Sequence, residues 1–171
     1  MPEKSLYYQL QQAMEDRTSR IANNKEECKN IANLLMEKLA EYLGCSPNFI
    51  RFLIYTDEEI EAQKEEIIIG FPYSDNFLLC QKDGFYRFRL LLNLGPQNKY
   101  PPHEMIMLFL IKKYNENFSI KHQKIFNICK DTKTEDLEMV VTQLYISLID
   151  FMKKEKDYVF SIKGETGFHL T

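Results

Sequence analysis

The sequence has no tryptophan and only six glycines and six prolines in 171 residues. Glycine this sparse leaves little material for phosphate-cradling loops. Neither G-x-x-x-x-G-K-[ST] nor G-x-G-x-x-G occurs, so the usual nucleotide fingerprints are absent. There is no G-x-S-x-G elbow for a Ser-His-Asp nucleophile. The four cysteines, Cys28, Cys45, Cys80 and Cys129, are scattered without a C-x-x-C pair, which argues against a zinc knuckle. No apolar run approaches the roughly 18 residues that cross a bilayer, so no membrane partner is expected. A basic excess is also missing. The net charge is −3 and the pI is about 5.7, which speaks against a general nucleic-acid binder that must neutralise phosphates.

What remains is ordinary globular material. Leu, Ile, Val and Phe make up 50 of the 171 residues, enough apolar side chain to exclude wholesale disorder. The length suits one domain over residues 1–171, with 158–171 expected as a loose tail. The start, Met1-Pro2-Glu3-Lys4, carries no apolar signal core, so a cytoplasmic location and free, buried thiols are expected.

Periodicity gives the elements. Tyr7, Leu10, Met14 and Ile21, then Cys28, Ile31, Leu34, Leu35, Leu39 and Tyr42, recur at three- and four-residue steps and predict helix over 5–43. Asn23-Asn24 predicts a break into a short helix and a stronger one, because asparagine favours caps over helix interiors. Gly44 and Pro47 end the second. Strands are predicted over 48–56 and 66–71, with the acidic 57–64 stretch between them as a loop or helical turn. Lys82-Asp83-Gly84 joins two apolar runs (77–81 and 85–92) as a hairpin. The 104–111 run is apolar on both faces and reads as a central strand. One or two further strands are expected in 117–129. A helix is predicted from an N-cap at Thr134 through Met152, with an edge strand possible at 159–162. Short links require mostly antiparallel pairing. The expected fold is α+β: N-terminal helices, a mostly antiparallel sheet of four to six strands, and an amphipathic C-terminal helix on one sheet face.

Three candidates for chemistry emerge. Arg51, Arg87 and Arg89 are three of only five arginines. Strand alternation places Arg87 and Arg89 on one face, and Arg51 joins them if the strands are in register. Guanidinium forks bind carboxylates or phosphates two-pronged, so this stripe would take an anionic ligand or an acidic partner. Otherwise it is a sheet face paired with acidic residues of the N-terminal helices. The acidic cluster Asp57-Glu58-Glu59, Glu61 and Glu65-Glu66 is expected as a solvated loop guarding an edge strand, or as a receiver for a basic partner. His103, His122 and His169 are mutually isolated, so they are expected on the surface or in loops, and no metal site is assigned.

Tyr100-Pro101-Pro102-His103, between an apolar hairpin and the next strand, resembles the Tyr-Pro loop of ubiquitin-conjugating enzymes and their inactive RWD-domain relatives. The element order over residues 30–115 is also similar. The resemblance implies a helix followed by an antiparallel meander. It would place His122 and Cys129 where that family has a His-Pro-Asn segment and a catalytic cysteine. Gln123-Lys124 stands where Pro and Asn would be, and the apolar neighbours of Cys129 suggest a core thiol, so an inactive relative is implied.

The expected function is a non-catalytic cytosolic binding module (adaptor, inhibitor or chaperone-like) that engages a protein partner through a sheet face or edge. The alternatives are a small-anion or nucleotide-binding domain using the arginine stripe and an inactive protein of ubiquitin-conjugating-like fold. No cofactor is expected, and a homo-oligomer is possible through the amphipathic N-terminal helix.

Overall fold

A computed structural model describes residues 5–95, 104–153 and, as backbone only, 167–170. The amphipathic pattern at the start forms one helix, α1 (Leu6–Leu43), of 38 residues. Ser5 accepts from the Tyr8 amide at its N-terminus, and Gly44 ends it with a φ of 62°, bonding back to Ala40 and Glu41. The break expected at Asn23-Asn24 does not occur. Both side chains are exposed, and two asparagines cost only about 1 kcal/mol of helix propensity. Directly after them the helix is fixed by packing. Cys28 is buried in the core, and Lys25, itself buried, pairs with Asp75 at 3.0 Å.

A single 3-10 turn (Pro47–Phe49) leads into β1 (Ile50–Phe52). Helix α2 (Asp57–Ala62) follows, the helical one of the two expectations for this stretch, a loop or a helical turn. Then come β2 (Ile67–Ile68), β3 (Leu79–Gln81), β4 (Tyr86–Asn93), β5 (Glu104–Tyr114), β6 (Asn117–His122) and β7 (Lys124–Ile128). Helix α3 (Lys133–Lys153) is next, and β8 (Gly167–Leu170) ends the described chain. The Asp83-Gly84 hairpin is formed as its sequence predicts: Gly84 has a φ of 84°, and the Asp83 carboxylate accepts from the Phe85 amide at 3.0 Å. The start of α3 lies two residues earlier than expected, with Thr132 in the capping position. Its hydroxyl donates to Asp136 Oδ2 at 2.8 Å, and its carbonyl accepts from the Asp136 amide at 2.9 Å. Gly167–Leu170, expected in a loose tail, pairs as a strand, while the 159–162 segment lies outside the described residues.

All strand pairs are antiparallel, and the fold is α+β with one sheet, in the order β2-β3-β4-β5-β6-β7. Strand β1 pairs with the second half of β4, and β8 with the first half of β5. The inner face of β4 and β5 (Phe88, Leu90, Leu92, Met105, Met107, Phe109, Ile111) is fully buried. It is covered by Ile31, Leu35 and Leu39 of α1 and by Leu137, Val140, Val141 and Leu144 of α3. Phe88 stacks on Phe109, with centroids 5.1 Å apart, and tilts against Phe52 at 5.9 Å. A second, smaller cluster lies on the outer face, where Ile60 of α2 packs on Tyr55, Ile67 and Leu79. Because Phe88 is fully buried between two aromatic neighbours, Phe88→Ala should cost about 4 kcal/mol of stability in urea denaturation, with the midpoint falling and the slope unchanged.

Candidate functional site

The three arginines share the outer face but not one site. Arg51 pairs across to Leu91, and Arg87 and Arg89 lie four and two residues before Leu91 on β4. Arg87 and Arg89 are held from above by α2. That helix begins at Thr56 with a capping box: the Thr56 hydroxyl accepts from the Glu59 amide at 3.2 Å, and the Thr56 amide donates to Glu59 Oε2 at 2.8 Å. The cap fixes the Glu59 carboxylate over β4. Arg89 then donates to both of its oxygens, at 2.6 and 3.0 Å, in a two-pronged pair. Arg89 Nη2 also donates to the Ile54 carbonyl at 3.1 Å, and the guanidinium lies 3.9 Å from the centroid of the Tyr55 ring.

Arg87 is buried more deeply, at 5% exposure. It donates to the Gln63 side chain and lies 3.5 Å from Glu66 Oε2. With the Gln81 amide oxygen turned toward it, Arg87 Nη2 and Nε donate at 2.6 and 3.2 Å. The partners of the stripe are therefore α2 and the segment after it, not the N-terminal helices. The acidic cluster is partly spent on the same pairing, since Glu59 and Glu66 belong to it. The signal for this arrangement was present in the sequence as Thr56-x-x-Glu59, a capping box that marks a helix start in what reads as a polar loop.

Arg51 stands apart. Its side chain is exposed, and it forms no ion pair among the described residues. It lines a hollow of about 240 Å³ with Asn48, Phe49, Leu91, Asn93 and Glu104. An anion entering there would meet one guanidinium and two amides, with the Glu104 carboxylate opposing it.

The remaining candidates are dispersed. Tyr100-Pro101-Pro102-His103 lies outside the described residues. His122 is buried, at 2% exposure, not at the surface as expected. Its ring sits 4.7 Å from that of Phe109, and its Nδ1 lies 2.9 Å from the Leu108 carbonyl. The side chain of His169 is not among those described. Cys129 is exposed instead of lying in the core, because the strand ends at Ile128 and the chain turns outward. Its backbone amide, not its thiol, is engaged, donating to Asp136 at 2.8 Å. His122 and Cys129 sit at opposite ends of the β6–β7 hairpin, where His122 pairs with Lys124 and Phe118 with Ile128. Five to six extended residues separate them by nearly 20 Å, too far for a thiol–imidazole pair. All four thiols are free. Cys28 and Cys80 are buried, and Cys45 is half-buried. Burial pushes the Cys28 thiol up to about 12. Among the described residues no group of three or more His, Cys, Asp or Glu could hold a metal.

Three outcomes follow. The side-chain bonds from Arg89 hold the Glu59 carboxyl below its ordinary range, against a smaller opposing effect of burial. A depressed carboxylate contributes stability that is present above its unfolded pKa and lost as pH falls through the folded one. Acid unfolding should thus show a loss below about pH 4 that Glu59→Gln flattens. Arg89→Ala should cost about 2 kcal/mol in thermal or urea melts, less than for a fully buried pair, because Glu59 is open enough to rehydrate. In thiol titration of the native protein with a disulfide reagent, Cys129 should react first, and Cys28 only on unfolding. No protein-family profile matches the chain, and no curated protein or solved structure is significantly similar to it.

Proposed function

We propose that this protein is a non-catalytic binding module that takes an extended segment of a protein partner along the open edge of its sheet. The observation that carries this reading is β7. It ends the strand order, so among the described residues no strand pairs with its outer edge. Such an edge presents a row of free backbone groups, a ready template for one more strand. Its exposed side chains suit recognition. Ile125 is 65% exposed, and Lys121, paired across from it, is exposed on the same face, while Lys124 is exposed on the opposite face. A partner strand would place an apolar residue against Ile125 and carboxylates toward the two lysines. The short length of β7, five residues, limits the backbone contribution, so the side chains supply the specificity.

A second reading rests on Arg51 in its hollow beside Asn48 and Asn93. A small anion there would raise the melting temperature through preferential binding to the folded state. This second site uses Arg51 alone. Arg87 and Arg89 are engaged by α2, and replacing them would damage the fold.

The test is affinity capture with mass spectrometry from the native host, comparing the wild type with Ile125→Asp and with Arg51→Ala. Both side chains are exposed, so both variants should fold with unchanged melting temperature. The edge reading expects a specific protein that is captured by the wild type and by Arg51→Ala and at least tenfold depleted with Ile125→Asp. Capture that survives Ile125→Asp would sink the edge. A thermal shift with phosphate or a nucleotide that disappears in Arg51→Ala would favour the small-anion reading.

A further inference from the structure

The first 15 residues of α1 are exposed along their whole length. From Leu6 to Arg20 every residue is exposed, and Ile21 is the first to become half-buried. At 1.5 Å per residue this is a rod about 22 Å long standing off the body. It is not a polar rod. Leu6 is 78% exposed, Tyr7 70%, Leu10 67% and Met14 60%. Tyr7, Leu10, Met14, Arg17 and Ile21 alternate at three- and four-residue steps, the spacing of a coiled-coil seam. Continued along the same helix, this stripe becomes Cys28, Ile31 and Leu35, which face the sheet and are fully buried. The apolar stripe that packs α1 on the core therefore runs out past the core, and no described residue covers Tyr7, Leu10 or Met14 there.

We infer that this projecting half pairs antiparallel with the same segment of a second copy of this chain. Two features of the structure select that occupant and that direction. First, the bare face looks toward the side on which the body lies. A second copy running parallel would bring both bodies to the same end and the same side, where they collide. An antiparallel copy puts the bodies at opposite ends, and each helix tip then stops where the other body begins. Secondly, Arg17 sits in the stripe. Parallel pairing sets Arg17 against Arg17, like charges at one seam position. Antiparallel pairing in the seam layers sets Leu10 against Met14 of the second copy and Arg17 against the ring of Tyr7, a favourable cation–π contact. In this register Ser5 of one copy lies opposite Ser19 of the other, just short of the body. The next register, one heptad further, would drive the tip into it. Phe71 marks that end of the groove. It is 81% exposed, and its ring lies 5.8 Å from Lys25 Nζ, one turn past Ile21.

Pairing along this seam buries roughly 500 Å² on each copy, about 1,000 Å² in all, at the lower limit for a specific interface. The dimer is therefore reversible and concentration-dependent. The surface is separate from the β7 edge, so the dimer stands or falls independently of the proposed partner. Sedimentation equilibrium of the full chain tests it. The wild type should show a monomer–dimer equilibrium. Leu10→Glu and Met14→Glu should each weaken it at least tenfold with no change in melting temperature, because neither side chain touches the core. Ile125→Asp should leave it intact. For direction, a Leu10→Cys chain mixed with a Met14→Cys chain, both carrying Cys129→Ser, should form the mixed disulfide on mild oxidation, and Leu10→Cys alone should not. A chain that stays monomeric at its highest soluble concentration overturns the inference. So does a dimer indifferent to Leu10→Glu, or a Leu10–Leu10 cross-link. A monomeric chain that loses a captured protein on Leu10→Glu would assign the stripe to a different protein and equally overturn it.

Discussion

Strand β4 must be buried on both faces, and most of the structure follows from that constraint. Three strands pair with it directly: β1, β3 and β5. Its inner residues, Phe88, Leu90 and Leu92, need the helix layer made by α1 and α3. Its outer residues include Arg87, at 5% exposure, and Arg89, which cannot be covered by an apolar layer without a large desolvation cost. The short helix α2 resolves this. It brings Glu59 and Gln63 down as hydrogen-bond partners and lays Ile60 beside them as apolar cover. A buried ion pair of this kind is weak evidence for added stability, since desolvation offsets much of the attraction. Its role is positional: the bidentate fork allows one placement of α2 over the sheet. Glu59 serves the cap of its own helix and the pair with Arg89 at once, so the local and tertiary constraints agree.

The same arrangement explains why the arginine stripe is not a binding cleft. A strand that carries Arg87 and Arg89 on one side reads, from sequence, as a face awaiting an anion. The anion is internal and arrives from about 30 residues earlier in the chain. Alternation told which face the guanidiniums share. It carried no information on what would cover that face, because the cover depends on a non-local contact. Arg51, one strand over, escapes α2 and is the member of the trio left exposed.

Legibility tracked locality throughout. The Asp83-Gly84 turn, the apolar run of β5 and the amphipathic α3 are readable because neighbouring residues determine them. The misreadings arose where distant contacts overruled a local preference. Asn23-Asn24 favours a break, but packing of Cys28 and the Lys25–Asp75 pair hold the helix through it. His122 and Cys129 were read in reverse. The histidine is drawn inward beside Phe109, and the cysteine follows the last strand residue out to solvent. Thr132 was overlooked as a cap in favour of Thr134 because both precede acidic residues. The bonds that the Thr132 hydroxyl and the Cys129 amide donate to Asp136 separate them. The capping box at Thr56 was the one missed signal that lay entirely within four residues.

The projecting half of α1 poses an energetic question that the rest of the fold does not. An isolated helix of about 15 residues in water is marginal, because nucleation is costly and most helical stability in proteins comes from tertiary packing. Here nucleation is already supplied, since the buried half of α1 offers a formed template from which the helix propagates outward. Propagation alone is close to neutral per residue, and residues 6–20, all exposed, bury little to add to it. The Ser5 cap contributes about 1 kcal/mol at the far end, while the first turn has no acidic side chain to favour the helix dipole. The segment is therefore poised: helical when its apolar stripe is covered, and free to fray from its tip when it is not. Pairing and helix order are then one equilibrium, in which each copy stabilises the other's helix by removing Tyr7, Leu10 and Met14 from water. Such coupling makes the projecting half sensitive to chain concentration. The body, held by β4 and its two covers, is insensitive to it.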